Sequence, residues 1–572
     1  MIGQMAELLR AAQRYVHGTA VPGLSRAGEN IPDARDPRGK TRPLADVMGV
    51  GGLGRMAGMR TDRQAEMLSE CLAESKGDAF GGKRLSDSSL QDVLKVTQDD
   101  STDHIFARFT RSLKRDKKLL SSSPVYIGDR KVDAVMYDGQ DTYKTLEERK
   151  GYAKRTRTVM VGRGKEKHPE KRSHYALPVV HAVLASADVQ ICIGQRVVVD
   201  NDENSTVLDA IDWVVDAYRW MRPGGAIHMA DAKHGTTVFF DHMGDPYDDE
   251  NLGHFAMTAL KGTQKEIYKA TKEAFELQEA QPGRRLATTK WENAGHGREV
   301  MRELYVARTN VAAGLKQDEA HVMDPTDVIV NEKQWGTTRL VVMVRQTTRY
   351  KTEPAQLEAR RALERRKAEK QSDSGRHVQL GDMDRHYRYF ILNVKPEDVT
   401  PHTLLRLVRM MWQVEVFHNH LSQHMHVKAG DWVCQGNGPA VVTALNAIAL
   451  NYLLLFQKRR LRQDGWRGTV TLPQLMQIFM IVVAAGAIEP LMEEKEKSRK
   501  QSATEHEGDL PELTNEELVE AYFSGQELEL IALAFRNLIL RAVKTAVIWV
   551  KGQKQRITEL ICRLKETPLL AG

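Results

Sequence analysis

The spacing of apolar and polar positions changes character along the chain. Up to about residue 120 it is helical. Apolar residues recur at three and four between Leu44 and Leu72. Leu85-Ser86-Asp87-Ser88-Ser89-Leu90-Gln91-Asp92-Val93-Leu94 predicts a capped helix start, with hydroxyls and a carboxylate ahead of the first apolar turn. From Ser123 the period shortens. Val125-Tyr126-Ile127, Ala134–Tyr137, Val179–Leu184, Gln190–Ile193 and Arg196–Val199 are short β-type runs separated by turn residues. A helix follows with Val207, Ile211, Val214, Val215 and Tyr218 on one face. Ala226–Ala230 and Phe255–Leu260 are two further apolar strands.

Strand, strand, strand, helix, strand is the order of an RNase H-like core. The expected fold is α/β: an RNase H-like core with a mixed β-sheet, interrupted by a β-rich insertion and flanked by helical N- and C-terminal regions. Expected domains are 1–120, a helical DNA-binding associated domain; 121–275, the first part of the core; 276–380, the insertion; 381–455, completion of the core; and 456–572, a helical C-terminal domain. Within the insertion, Leu340–Val344 predicts a strand and the charged Leu357–Lys370 a solvated helix. Tyr387–Leu392 predicts the strand that resumes the core, and a long helix runs from about Pro401 to beyond Glu415. Glu494–Gly508 is a polar connection, and Thr514-Asn515-Glu516-Glu517 resembles a capping box.

Composition changes this picture only modestly. At 572 residues the chain is too long for one core. It is 41% hydrophobic and 28% charged, which excludes a disordered or fibrous protein. Its 83 Lys and Arg against 76 Asp and Glu suit a polyanionic partner. The four cysteines, Cys71, Cys192, Cys434 and Cys562, make no CxxC pair, so neither a disulfide framework nor a zinc knuckle is expected. No apolar segment follows the first basic residue as a signal peptide would require. The run Ile478–Ile488, closed by Glu489-Pro490, reads as a buried helix. A reducing, cytoplasmic interior without membrane partners is expected. No P-loop, dinucleotide fingerprint or nucleophile elbow occurs in its proper context, so nucleotide-driven and acyl-transfer chemistry have no support.

Three acids carry candidate chemistry. Asp138 ends the run Ala134–Tyr137 and Asp231 ends Ala226–Ala230. A carboxylate at the exit of an apolar strand is held rigidly, and two such strands side by side would bring both to one pair of metal ions. Each aspartate alone is more often a turn or helix cap than a catalytic group. Glu415 is accompanied at helical spacing by Arg409 and Trp412. Divalent metals need such oxygen ligands and take substrate phosphate in their open positions. Ten Lys and Arg between Arg149 and Arg172, among them Lys154, Arg155 and Arg157, read as a basic loop beside the first catalytic strand, placed to follow a DNA backbone. His420 and His424 have a zinc-like spacing, but no acid or thiol completes a set with them.

These motifs resemble bacterial insertion-sequence transposases of the H-repeat-associated (ISAs) type, within the DDE superfamily. Asp36-Pro37-Arg38-Gly39-Lys40-Thr41-Arg42-Pro43-Leu44, with Leu85–Leu94, is similar to the family's N-terminal associated domain. Tyr137-Asp138-Gly139 and Ala230-Asp231-Ala232 resemble its two aspartate motifs, although Gln140 stands where the family has Lys. Ala259-Leu260-Lys261-Gly262-Thr263-Gln264, His296-Gly297-Arg298, Arg409-x-x-Trp412-x-x-Glu415 and Gly436-Asn437-Gly438-Pro439 continue the likeness, over roughly residues 30–455. The resemblance implies catalytic, metal-binding Asp138, Asp231 and Glu415, with two Mg²⁺ ions (Mn²⁺ as a substitute). It implies DNA contacts from Lys154, Arg155, Arg157, Lys261, Gln264, His296, Arg298, Arg302, Arg409 and Trp412. The implied partners are double-stranded DNA, as transposon ends and target, and a second copy of the chain in the DNA complex. A metal-dependent DNA nuclease on the same fold, and a catalytically silent DNA-binding protein, remain open as alternatives.

Overall fold

The computed structural model describes residues 11–29, 43–59, 85–115, 124–161, 168–218, 225–248, 254–281, 285–311, 328–350, 377–427 and 438–482, with short gaps inside some of these ranges and a few isolated positions besides. The chain divides into two compact units. One comprises residues 1–29, 36–93 and 461–572, the other 30–35 and 94–460.

The first unit is helical where described. A π-turn at Val16–Ala20 leads into α1 (Val21–Gly28), and α2 spans Leu44–Met56. Gly28 permits the approach of α2, because a Cβ there would meet Ala45 Cα at 2.5 Å. Tyr15 and Phe479 rings lie 6.2 Å apart in this core. Ile478, Phe479 and Val482 are buried, as the apolar run implied, and most of the rest of that run lies outside the described residues. α3 (Asp87–Val96) begins where expected: Ser86 Oγ accepts the Ser89 N–H at 3.2 Å. The predicted segments Leu357–Lys370, Glu494–Gly508 and Thr514–Glu517 lie outside the described residues.

The second unit holds α4 (Asp99–Arg115) and one mixed sheet, fourteen-stranded among the described residues. Its strands are β1 (Val125–Ile127), β2 (Arg130–Thr145), β3 (Ala153–Val161), β4 (His168–Leu184), β5 (Ile191–Val197), β6 (Ala226–Ala230) and β7 (Phe255–Ala259). They continue with β8 (Ala287–Thr288), β9 (Glu292–Gly295), β10 (Arg298–Val311), β11 (Val328–Val330), β12 (Leu340–Tyr350), β13 (His377–Leu380) and β14 (Met383–Leu392). β2, β4 and β5 form an antiparallel meander. On its other edge β2 pairs in parallel with β6, and β6 in parallel with β7. The order β5-β4-β2-β6-β7, with helix α5 (Glu203–Ala217) between β5 and β6, is the RNase H-like arrangement expected from the order of elements.

The strands between β7 and β14 join the core sheet. β14 pairs antiparallel with β7, and β12, β10 and β11 follow outward. Helix α6 (Thr237–Met243) follows β6, and α7 (Lys265–Ala280) follows β7. The expected long helix from Pro401 is two helices, α8 (Pro401–Met410) and α9 (Gln413–His424), parted at Met411-Trp412. α10 (Gly438–Leu455) is buried on every side. The span Gly438–Lys458 is long and apolar enough to cross a membrane, but its apolar window is buried inside the protein. Asn451 on α10 reaches β5, accepting the Cys192 N–H at 2.9 Å and donating to the Cys192 carbonyl at 2.8 Å.

Candidate metal centre and nucleic-acid interface

Asp138 lies inside a strand, not at its exit. β2 runs on to Thr145 because β4 pairs with it through Tyr175. What ends at this level is β6, whose last pair with β2 is Tyr137↔Ala230. Asp231 follows immediately, so parallel register sets the two aspartates side by side. Glu415 sits in the first turn of α9, which docks on β2: Gln140 Nε2 donates to the His418 carbonyl at 3.0 Å and to Ser422 Oγ at 2.8 Å.

The electrostatics tie the three acids together. Burial raises the Asp138 carboxyl to about 7, and the neighbouring charges of Asp231 and Glu203 push the same way. Burial also raises Glu415, with Asp138 and then Asp231 adding to it while Arg388 opposes them. Like charges at short range disfavour ionisation. A site of hard carboxylate oxygens crowded in this way suits a divalent cation, which would relieve the repulsion.

Glu203 and Arg388 carried no local signal in the sequence, whereas His418 stands among the histidines that crowd after Glu415. Glu203 opens α5 beside β2, and Gly139 makes room for it, since a Cβ at Gly139 would lie 2.4 Å from the Glu203 carboxyl. Burial pushes Glu203 up, but hydrogen bonds from His234 and Lys233 outweigh it and hold the acid at about 2. His418 Nδ1 lies 3.4 Å from Asp138 Oδ2, and its Nε2 lies 3.1 Å from the buried His181, the β4 residue paired with Asp138. Arg388 on β14 is within electrostatic reach of the acids: burial lowers its basicity, Glu415 and Asp231 raise it, and its guanidinium stacks over Trp412 at 4.4 Å.

The predicted DNA-contacting residues fall into groups. Arg302 and Arg409 share Glu292, the former at 2.9 Å. Arg302 is also close enough to Arg388 to depress it, so these two arginines, Arg409 and Trp412 collect on the Glu415 side of the site. Lys154, Arg155 and Arg157 lie not on a loop but on β3, paired antiparallel with β4; residues 162–167 lie outside the described residues. Lys154 and Arg157 are exposed, while Arg155 clasps Asp141 at 2.8–3.1 Å. Gln264 Oε1 accepts the Lys261 N–H at 2.7 Å and its Nε2 donates to the Gly235 carbonyl. Its amide therefore links the loops after β6 and β7, and Lys261 is half-buried beside it. Arg298 begins β10, the strand that also carries Arg302, and His296 lies outside the described residues. His420 and His424 stack with centroids 5.6 Å apart.

No protein-family model and no curated protein matches this chain. Among solved structures, a cryo-EM structure of a piggyBac transposase synaptic complex with hairpin DNA aligns with 89% of this chain and 87% of that one, at 9% identity and a TM-score of 0.33. A likeness at that level decides nothing about chemistry, which the site itself has to carry.

Proposed function

We propose that this protein is a DNA transposase that uses Asp138, Asp231 and Glu415 to hold two Mg²⁺ ions, with Mn²⁺ as a substitute. The observation that carries the reading is the convergence of the three acids: Asp138 on β2, Asp231 just after the parallel strand β6, and Glu415 on a helix docked against β2 and within electrostatic reach of both. When bound, the ions supply activation of an attacking oxygen and stabilisation of the departing one in displacement at phosphorus. The chain's own part is to orient that phosphorus. Arg388, fixed by stacking on Trp412, faces the acids and offers charge to a phosphate oxygen, with Arg302 and Arg409 beside it. Lys154 and Arg157 extend a basic surface along the β3–β4 hairpin for the duplex.

In the cleavage step, water attacks phosphorus, the bond to the 3′-oxygen breaks, and that oxygen leaves with a proton as a free 3′-hydroxyl. In the joining step the hydroxyl attacks a target phosphodiester, losing its proton as the target's own bridging oxygen departs. The ends of the element and the target are double-stranded DNA, held by a pair of chains. The test is a strand-transfer assay with a supercoiled target, in Mg²⁺, on wild type and on Asp138→Asn, Asp231→Asn and Glu415→Gln. Joined products from wild type, with both cleavage and joining lost in each variant and DNA binding kept, are expected. Nicks without joining would replace the reading by a nuclease, and binding without either by a silent DNA-binding protein.

A further inference from the structure

The carboxylate triad does not account for the other side of Asp138. There Asp138, Glu203 and His234 bring one ligand atom each within 4.8 Å of one another. His234 is 2% exposed. Its Nδ1 lies 2.8 Å from Asn204 Oδ1, an oxygen that accepts, so Nδ1 donates to it. Nε2 is turned into the cluster, 3.0 Å from Glu203 Oε1, and makes no hydrogen bond elsewhere. The second Glu203 oxygen is already occupied by the Lys233 ammonium, which fixes the carboxylate so that Oε1 turns inward.

We infer that Asp138, Glu203 and His234 form a mixed nitrogen and oxygen site for a first-row transition-metal dication, so that Asp138 is shared between two ions of different preference. The inference rests on the metal-dependent reading above and deepens it. A set of three carboxylates is indifferent between Mg²⁺ and Mn²⁺, whereas an imidazole nitrogen favours the transition metal. Asn204 would act as the supporting residue that fixes the tautomer of a ligating histidine. One position of the pair would then take Mn²⁺ in preference to Mg²⁺, while the Asp231 and Glu415 side would accept either.

Mn²⁺ added to the full-length protein reports on this directly. Pulsed electron paramagnetic resonance should detect ¹⁴N coupling from one imidazole, retained in excess Mg²⁺. His234→Gln should abolish the coupling, and Asp231→Asn should leave it intact. Asn204 is exposed on the first turn of α5, so Asn204→Ala tests the site without disturbing the core, and it should weaken the nitrogen-coupled Mn²⁺ by about 10- to 100-fold. Mn²⁺ that binds in an Asp138-dependent way with no ¹⁴N coupling would overturn the inference and leave the triad standing; His234 and Glu203 would then be an ordinary buried ion pair. Mn²⁺ binding that is indifferent to Asp138→Asn would overturn both.

Discussion

A raised carboxyl is the clearest residue-scale consequence of this site. Asp138 is held at about 7 against an ordinary 3.8. Between those values the folded chain keeps a proton that the unfolded chain has lost, so the stability this group contributes is present in acid and disappears as pH rises through about 7. The metal-free protein should therefore melt at a lower temperature at about pH 8 than at about pH 5, and Asp138→Asn should flatten that difference. Metal binding has the opposite sign, because the ligand must be ionised. Mn²⁺ affinity should fall as pH drops below about 7, and a titration showing equal affinity on both sides of that point would sink the assignment of Asp138 as a ligand. Asp138 and Asp231 could be picked out from the chain because each follows an apolar run. Glu203, His234 and Arg388 could not, since nothing in their local sequence distinguishes them from a helix-start acid, a loop histidine and a strand arginine.

At the scale of elements, one side chain of α10 reaches the backbone of β5. Asn451 is fully buried and satisfies both backbone groups of Cys192, near the point where the β4–β5 register shifts. Asn451→Leu keeps the volume and removes both partners, leaving a buried N–H and a buried carbonyl orphaned. The expected cost is about 1–3 kcal/mol, read from urea unfolding at constant m-value. Gln140 makes a comparable link between β2 and α9, which gives a structural reason for a glutamine at that position. The short apolar runs of β6 and β7 were legible, because a strand buried on both faces is apolar throughout. The full length of β2 and β4 was not. Their polar halves are strands by partnership rather than by propensity: Gln140–Thr145 pairs with Tyr175–Val179 of β4, and His168–Tyr175 with Lys154–Val161 of β3. The same is true of the break between α8 and α9, which no proline or glycine announces.

At the scale of the molecule, the basic β3–β4 hairpin is the feature with a solution signature. Lys154 and Arg157 are exposed on one strand of it, and Arg155 is engaged with Asp141. If the first two neutralise phosphates, Lys154→Ala with Arg157→Ala should reduce the slope of log affinity against log salt by about 2, while binding remains. An unchanged slope would place the DNA elsewhere. The net excess of seven cations could not have pointed to this surface, because net charge says nothing about where charge gathers.

The sequence by itself determined the alternation of β-runs and helices, and with it an α/β core of RNase H-like order. It also determined two aspartates placed by the apolar runs before them. These are local properties, set by side-chain period and by which faces must leave water. Only the tertiary structure decided that β6 ends level with Asp138, that the strands of the insertion extend the core sheet, and that Glu203, His234 and Arg388 join the acids. Those outcomes depend on register and on approach between segments tens to hundreds of residues apart, which no local pattern encodes.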